Sequence, residues 1–384
     1  MESFVKLTVI LILCVGLAMA EEGKVGTLPR CSWAGIYNFG DSNSDTGGIS
    51  AAFVPVTSPY GITFFKKPVG RLTDGRLLLD FLAEYIGLPY LSAYLDTINT
   101  DYRHGANFAT GGSTIRRQNE TIFQNGISPF SLDIQTVQFT QFKTRIIGLW
   151  SSGHPAADKS QLQRPGDFSK ALFTLDIGQN DLSAGFRTLS EQKLRAEIPN
   201  IINEFAISIQ QLYEQGARSF WIHNTGPVGC LPVATLYVKN PEPGYLDQYG
   251  CIRYQNNIAM EFNKQLKARV IKLRSELADA AITYVDVYTA KYKLISGAKE
   301  YGFNNHLKVC CGHHENDVHI FCGQTGMVNG TKVFGDACAN PAAYVSWDGV
   351  HMTEAANRWV ANHVLNGSLS DPPIPATHAC YKHL

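Results

Sequence analysis

Ser42 closes an apolar run, residues 34–39, within the stretch Phe39-Gly40-Asp41-Ser42-Asn43-Ser44-Asp45-Thr46-Gly47. Much later, Trp347-Asp348-Gly349-Val350-His351 sets a carboxylate and an imidazole three residues apart, just ahead of a helical pattern. A serine hydroxyl is a weak nucleophile until a neighbouring base takes its proton, and that base needs a third group to orient it. Ser42, His351 and Asp348 are the residue types for those three tasks. Their spacing lets one turn present both Asp348 and His351, the aspartate fixing the imidazole tautomer and stabilising its cation. Taken singly, each motif has an ordinary reading as well. Serine and aspartate are favoured helix N-caps, and an Asp–His pair can simply cap the last helix. A G-x-S-x-G elbow is absent, which argues against the common α/β-hydrolase family. Asp45 reads as a brace for the serine loop rather than a reacting group.

Four blocks in order resemble the plant GDSL-type esterase/lipase family of the SGNH hydrolase superfamily. They are Gly40-Asp41-Ser42, the run from Gly105 to Ser113, Gly178-Gln179-Asn180-Asp181, and Asp348-Gly349-Val350-His351. The likeness continues through residues 70–76, 224–230 and 310–312, and covers nearly everything after residue 31. It implies an acyl-enzyme mechanism with Ser42, Asp348 and His351 as the catalytic set and no cofactor. It also implies three oxyanion donors: the backbone N–H of Ser42, the backbone N–H of Gly112 and the side-chain amide of Asn180. Gly111 competes with Gly112 for the second place; Gly112 is preferred because it lies five residues after Asn107, where the family's block has its glycine. Two departures are visible. Asn43 stands where leucine is usual and Gly48 where asparagine closes the block, and both bear on the rim of the pocket.

The elements that must position these groups alternate. Residues 34–39, 105–109, 171–177, 219–223 and 281–287 read as buried strands; 77–86, 134–147, 194–215, 255–277 and 353–364 carry helical periodicity. Such alternation predicts an α/β protein with parallel strands and crossover helices. The resemblance makes it a flavodoxin-like three-layer α/β/α sandwich around a central parallel sheet, the SGNH hydrolase fold. Ligands of such sheets sit beyond the carboxyl ends of the strands, and Ser42, Gly112 and Asn180 each follow a predicted strand. Residues 300–345, rich in Cys, Gly and His, read as a disulfide-pinned surface excursion leading to Asp348.

Lysine plus arginine and aspartate plus glutamate both number 33 in the 384 residues. No net field therefore recruits nucleic acid or an anionic membrane, and the expected partner is a small-molecule or lipid ester. Met1 to Ala20 has a short polar start, an apolar run and a final Ala-Met-Ala, the pattern of a cleaved signal peptide rather than a stable membrane anchor. The domain reading is a leader at 1–20 and a single hydrolase domain over 21–384. Secretion is expected, to the outside or into the endomembrane lumen or vacuole. One of nine cysteines, Cys14, leaves with the leader, and the remaining eight suit disulfides in an oxidising compartment. Their pairing is open, with Cys230–Cys251 attractive because it closes a loop beside the sheet. Cysteine and histidine crowd together at 310–322 and invite comparison with a zinc site, but the even mature count favours disulfides, and no metal is expected. Asn119, Asn329 and Asn366 begin glycosylation sequons.

Other residues have structural expectations: His223 lines the pocket or is buried beside it, Trp347 packs beneath the Asp–His turn, and Asp74 pairs with Arg71 and Arg76. The resulting expectation is a secreted serine esterase or lipase. Acyl transfer to an alcohol shares the same acyl-enzyme. A glycosidase would need two carboxylates about 5–9.5 Å apart across a sugar, of which only Asp348 is placed. A non-catalytic defence or binding protein would be marked by a lost catalytic residue, and none is lost.

Overall fold

The computed structural model describes residues 28–382 except 99, 119–125, 154, 156–158 and 316–317. The expected leader and the Asn119 sequon lie outside the described residues. Five parallel strands, β1 (Ile36–Gly40), β2 (Gly105–Asn107), β3 (Leu172–Asp176), β4 (Ser219–His223) and β5 (Ala281–Val285), lie in the order β2-β1-β3-β4-β5. That is the flavodoxin-like order. A two-residue strand at Ser370–Asp371 runs antiparallel along the outer edge of β5.

Alternating side chains send each strand into two cores. Tyr37, Phe39, Phe173, Phe220 and Ile222 pack under α2 (Leu132–Ser151), α4 (Glu191–Glu214) and α5 (Arg253–Glu276). Ile36, Leu172, Trp221 and Val285 pack under α1 (Leu78–Ile86), α6 (Val287–Ser296) and α7 (Glu354–Val364). The helix starts are set by local chemistry. Ser190, Asp286 and Thr353 accept the third backbone N–H of α4, α6 and α7, a cap worth about 1 kcal/mol each. Three elements depart from the sequence reading, the first being the strand expected over 105–109, which stops at Asn107. The strand expected to reach residue 287 stops at Val285, because Asp286 caps α6 at once. A further helix, α3 (Gln179–Thr188), begins inside the third family block, where the sequence reading placed no helix.

The excursion at 300–345 is less irregular than expected. It holds two antiparallel ribbons, Gly312–Glu315 with Val318–Phe321 and Thr325–Val328 with Thr331–Phe334. Its cysteines are paired 310–338 and 311–322, which takes them out of any zinc site. The other bonds are Cys230–Cys251, as favoured from the sequence, and Cys31–Cys380, which ties together positions 349 apart. Cys310 N–H and Cys311 N–H donate to the carbonyls of Ser346 and Trp347, so this ribbon layer directly holds the segment before Asp348. With all eight described cysteines paired, a thiol titration in denaturant without reductant should find none of the eight free. Reduction should cost about 2–5 kcal/mol per bond lost; one or more free thiols would contradict the pairing.

The expected pairing of Asp74 with the two arginines is corrected. Arg71 pairs with Asp80 at 2.7 Å, and Arg76 with Glu354 at 2.6 Å and Glu84 at 2.8 Å. Asp74 instead accepts the Glu354 N–H at 2.7 Å, supporting the start of α7. In sequence, the three side chains are close neighbours; in space, the arginines turn toward α1 and α7, where the buried Asp80 and Glu354 and the exposed Glu84 meet them.

Candidate active site

The chain leaves β1 toward β2 and leaves β3 toward β4, so a crevice opens above the carboxyl ends of β1 and β3. Ser42 follows β1 by two residues, and Asn180 lies on the first turn of α3, just after β3. Gly112 sits in the loop after β2 at φ +82°, a backbone conformation that side-chain-bearing residues rarely adopt.

The serine loop is built on buried polar groups. Gln135 clamps the end of β1, accepting from Gly40 N–H at 2.9 Å and donating to its carbonyl at 2.8 Å. Asn38 and Asn107 bond each other at 2.8 Å, and both reach Ser44. Asp45 accepts the N–H groups of Gly47, Gly48 and Ile49 in its own loop and that of Gly111 across the crevice. Burial pushes its carboxyl above the usual range while these four donors hold it down. Truncating Asp45 would orphan buried N–H groups at about 1–3 kcal/mol each. The same contact occupies one of the two competing glycines: Gly111 N–H donates to Asp45 at 2.7 Å. Among the described residues, the N–H groups of Gly112 and Ser42 meet no protein acceptor. Asp181 ties α3 to the same loop, accepting Ile115 N–H at 2.8 Å and Arg116 N–H at 3.1 Å. The two departures also become legible. Asn43 donates to Asp41 at 2.9 Å, and a Cβ at Gly48 would stand 2.5 Å from the Ala109 carbonyl oxygen.

Asp348 accepts the backbone N–H groups of Val350 and His351 through Oδ1 and meets His351 Nδ1 through Oδ2 at 2.7 Å. Both side chains are shielded from water, and Trp347 is fully buried beneath them. Burial favours the neutral forms, yet the pair overrides it. His351 and the two N–H groups hold Asp348 below the ordinary carboxylate range. Asp348, then the more distant Asp41, raise His351 above the ordinary imidazole range. His351 Nε2 has no hydrogen-bond partner among the described residues.

Ser42, Gly112, Asn180 and His351 line one cavity of about 890 Å³, whose walls include Ile49, Leu72, Ile127, Phe186, Val228 and Phe321. Asp348 lies behind His351 and does not reach it. The described residues lining the cavity include no aspartate or glutamate. The Asn180 amide nitrogen is 3.0 Å from the Ser113 carbonyl and 3.3 Å from Asp41 Oδ2. Donation to a substrate oxygen therefore requires one of those bonds to be exchanged.

A second buried network lies beneath. The Trp221 indole N–H can only donate, so it fixes His223 Nε2 as acceptor at 3.1 Å and puts the ring proton on Nδ1, facing Asp176 at 3.1 Å. His223 is thus a buried structural histidine, outside the cavity lining. Burial opposes ionisation of Asp176, but His223 holds it below the usual range. Asp41 is pushed up to about 7, first by burial and then by Asp176. Sequence reasoning missed one neighbour of the Asp–His pair. Tyr60 donates its hydroxyl to Asp348 Oδ2 at 3.0 Å, and its sequence signal is no more than a tyrosine between Pro59 and Gly61.

A doubly wound sheet with a largely apolar cavity at its switch point, lined by serine, histidine and asparagine, defines the class: an enzyme of the SGNH hydrolase fold. The family model for GDSL-like lipase/acylhydrolase matches residues 36–364, and the chain belongs to that family; it is a carboxylic ester hydrolase. A GDSL esterase/lipase of Arabidopsis thaliana is 59% identical over 372 residues, covering 97% of this chain and 95% of the relative. A protein of the same plant named alpha-L-fucosidase 3 is 48% identical over 343 residues, covering 88% and 91%. An esterase of Hevea brasiliensis is 43% identical over 382 residues, covering 98% and 95%.

Proposed function

We propose that Ser42, His351 and Asp348 form the catalytic triad of a secreted serine esterase acting on small-molecule or lipid esters. The observation that carries this is the shared cavity: Ser42 and His351 line it, and the buried Asp348 holds the far side of the imidazole. His351 takes the Ser42 proton as Oγ attacks the ester carbonyl. The oxyanion forms near the N–H groups of Ser42 and Gly112 and the Asn180 amide, which trades one of its present acceptors for it. The imidazolium then protonates the leaving alcohol, and neutral His351 activates water to release the acid. Donors fixed before the reaction, in a site that excludes water, act most strongly on such developing charge. The apolar walls suit an acyl chain or another apolar half of the ester. Acyl transfer to an alcohol would differ only in what accepts the acyl group.

The fucosidase name of one relative raises the glycosidase reading. A cavity lined by no carboxylate among the described residues favours ester cleavage, since glycoside hydrolysis by the usual route needs two. The four disulfides support passage through an oxidising compartment, in keeping with a leader at 1–20 and one hydrolase domain over 21–384. No helix among the described residues is long and apolar enough to cross a membrane. Asn329, at an exposed ribbon turn, and Asn366, exposed after α7, are open to glycosylation.

Treatment with a fluorophosphonate, followed by peptide mapping, is the direct test. A single adduct on Ser42, formed in step with loss of p-nitrophenyl ester cleavage, is expected. An adduct on another residue, or inhibition without an adduct on Ser42, would refute the assignment.

A further inference from the structure

Three of the four donors to the Asp348 carboxylate come from its own turn: the N–H groups of Val350 and His351, and His351 Nδ1. A carboxylate held only by its own turn is free to shift with that turn. The fourth donor, the Tyr60 hydroxyl, comes from a loop 288 residues away and shares Oδ2 with the imidazole.

That loop is itself fixed on two sides. The Tyr60 ring packs edge-on against Trp347, with centroids 6.0 Å apart. Behind it, Ser58 O would stand 3.1 Å from a Cβ at Gly323, next to the Cys311–Cys322 bond. On the other side, Gly61 N–H and Thr63 N–H donate to the carbonyls of Thr73 and Asp74. Thr73 Oγ1 donates in turn to Met352 O at 2.8 Å, and Asp74 accepts Glu354 N–H. The tyrosine loop is therefore joined to the chain on both flanks of the Asp348–His351 turn.

We propose that Tyr60 is a positioning residue for the triad, its hydroxyl locking the Asp348 carboxylate in the orientation that aims and polarises His351. This rests on the proposed roles of Asp348 and His351. Burial, then the Asp348 charge, push the phenol far above its ordinary range, so it stays a donor at any working pH. Hydrogen bonds to an ionised acceptor are among the stronger ones. By sharing Oδ2, Tyr60 also draws off part of the negative charge that the imidazolium feels. Removing it should leave Oδ2 to the His351 ring and raise the pH at which the ring loses its proton. The other titratable groups acting on the pair, Asp41 and Lys291 on His351 and His314 near Asp348, stay in place.

The test compares Tyr60→Phe with wild type in the full chain, measuring kcat, KM and the pH profile of kcat/KM with a p-nitrophenyl ester. Because His351 must be neutral to accept the serine proton, kcat/KM rises as pH climbs through its pKa. In Tyr60→Phe, kcat should fall about 10-fold with KM within about twofold, and the acid limb should move up by about half a pH unit. Phenylalanine keeps the ring on Trp347, so packing is not what changes. An acid limb that stays put, with or without a drop in kcat, would overturn the proposal, since a merely structural role would leave it there. Tyr60→3-fluorotyrosine supplies the opposite sign and does not depend on the phenylalanine variant folding. Its stronger donor should move the limb down, and an unmoved limb would again refute the role. His351→Gln run alongside separates the two readings. If it is inactive while Tyr60→Phe behaves as wild type, only the role of Tyr60 fails; if it is fully active, the triad fails with it.

Discussion

Ser42→Ala should abolish ester cleavage, with kcat down by about 10⁴-fold or more and the melting temperature unchanged. The size of the effect follows from chemistry: without Oγ no acyl-enzyme forms, and what remains is catalysis by the oxyanion donors and binding alone. The neutrality of the fold follows from structure. The Ser42 hydroxyl makes no hydrogen bond to a protein group among the described residues, whereas its neighbours Asp41, Ser44 and Asp45 carry the loop. Circular dichroism and calorimetry beside steady-state kinetics would check both halves. A well-folded alanine variant turning over at the wild-type rate would end the case for Ser42, and one that unfolds would show the hydroxyl to be structural.

Asn180→Ala is expected to lower kcat by about 10²–10³-fold, or about 2.7–4 kcal/mol of transition-state stabilisation, with KM little changed. The exchange that Asn180 must make sharpens this prediction. In the resting site its amide is held by Ser113 and Asp41, so its interaction with substrate becomes favourable only once the carbonyl oxygen carries charge enough to displace one of them. A ground-state ester would gain little from it. If KM rose while kcat held, the amide would be binding substrate rather than stabilising the transition state.

Much of this architecture is legible in the chain because the parallel strands are buried on both faces. Their centres are therefore apolar at successive positions, as in Phe220-Trp221-Ile222 and Leu172-Phe173, and the chemistry begins where the strands stop. What was hidden has physical reasons. Helix α3 starts on Gln179-Asn180-Asp181 and contains Gly185, residues that favour turns when taken locally; its buried Leu182 and its packing on α4 override them. The ribbons at 312–334 pair across short, partly exposed strands, and their order comes from disulfides whose partners local sequence does not reveal. Arg71 and Arg76 illustrate the same limit for charges: the attraction was foreseeable, the partner was not, since Glu354 lies 278 residues from Arg76. Tyr60 was invisible for that reason too, its acceptor being just as remote.

The bond between Cys31 and Cys380 makes the described chain close to a covalent ring. Cys31 N–H donates to Thr377 O, and the Tyr381 hydroxyl to Pro29 O, so the two ends are knotted side by side. A protease that cuts an exposed loop once therefore releases nothing: the nicked molecule keeps its mass on a non-reducing gel and falls into two pieces only when thiol is added.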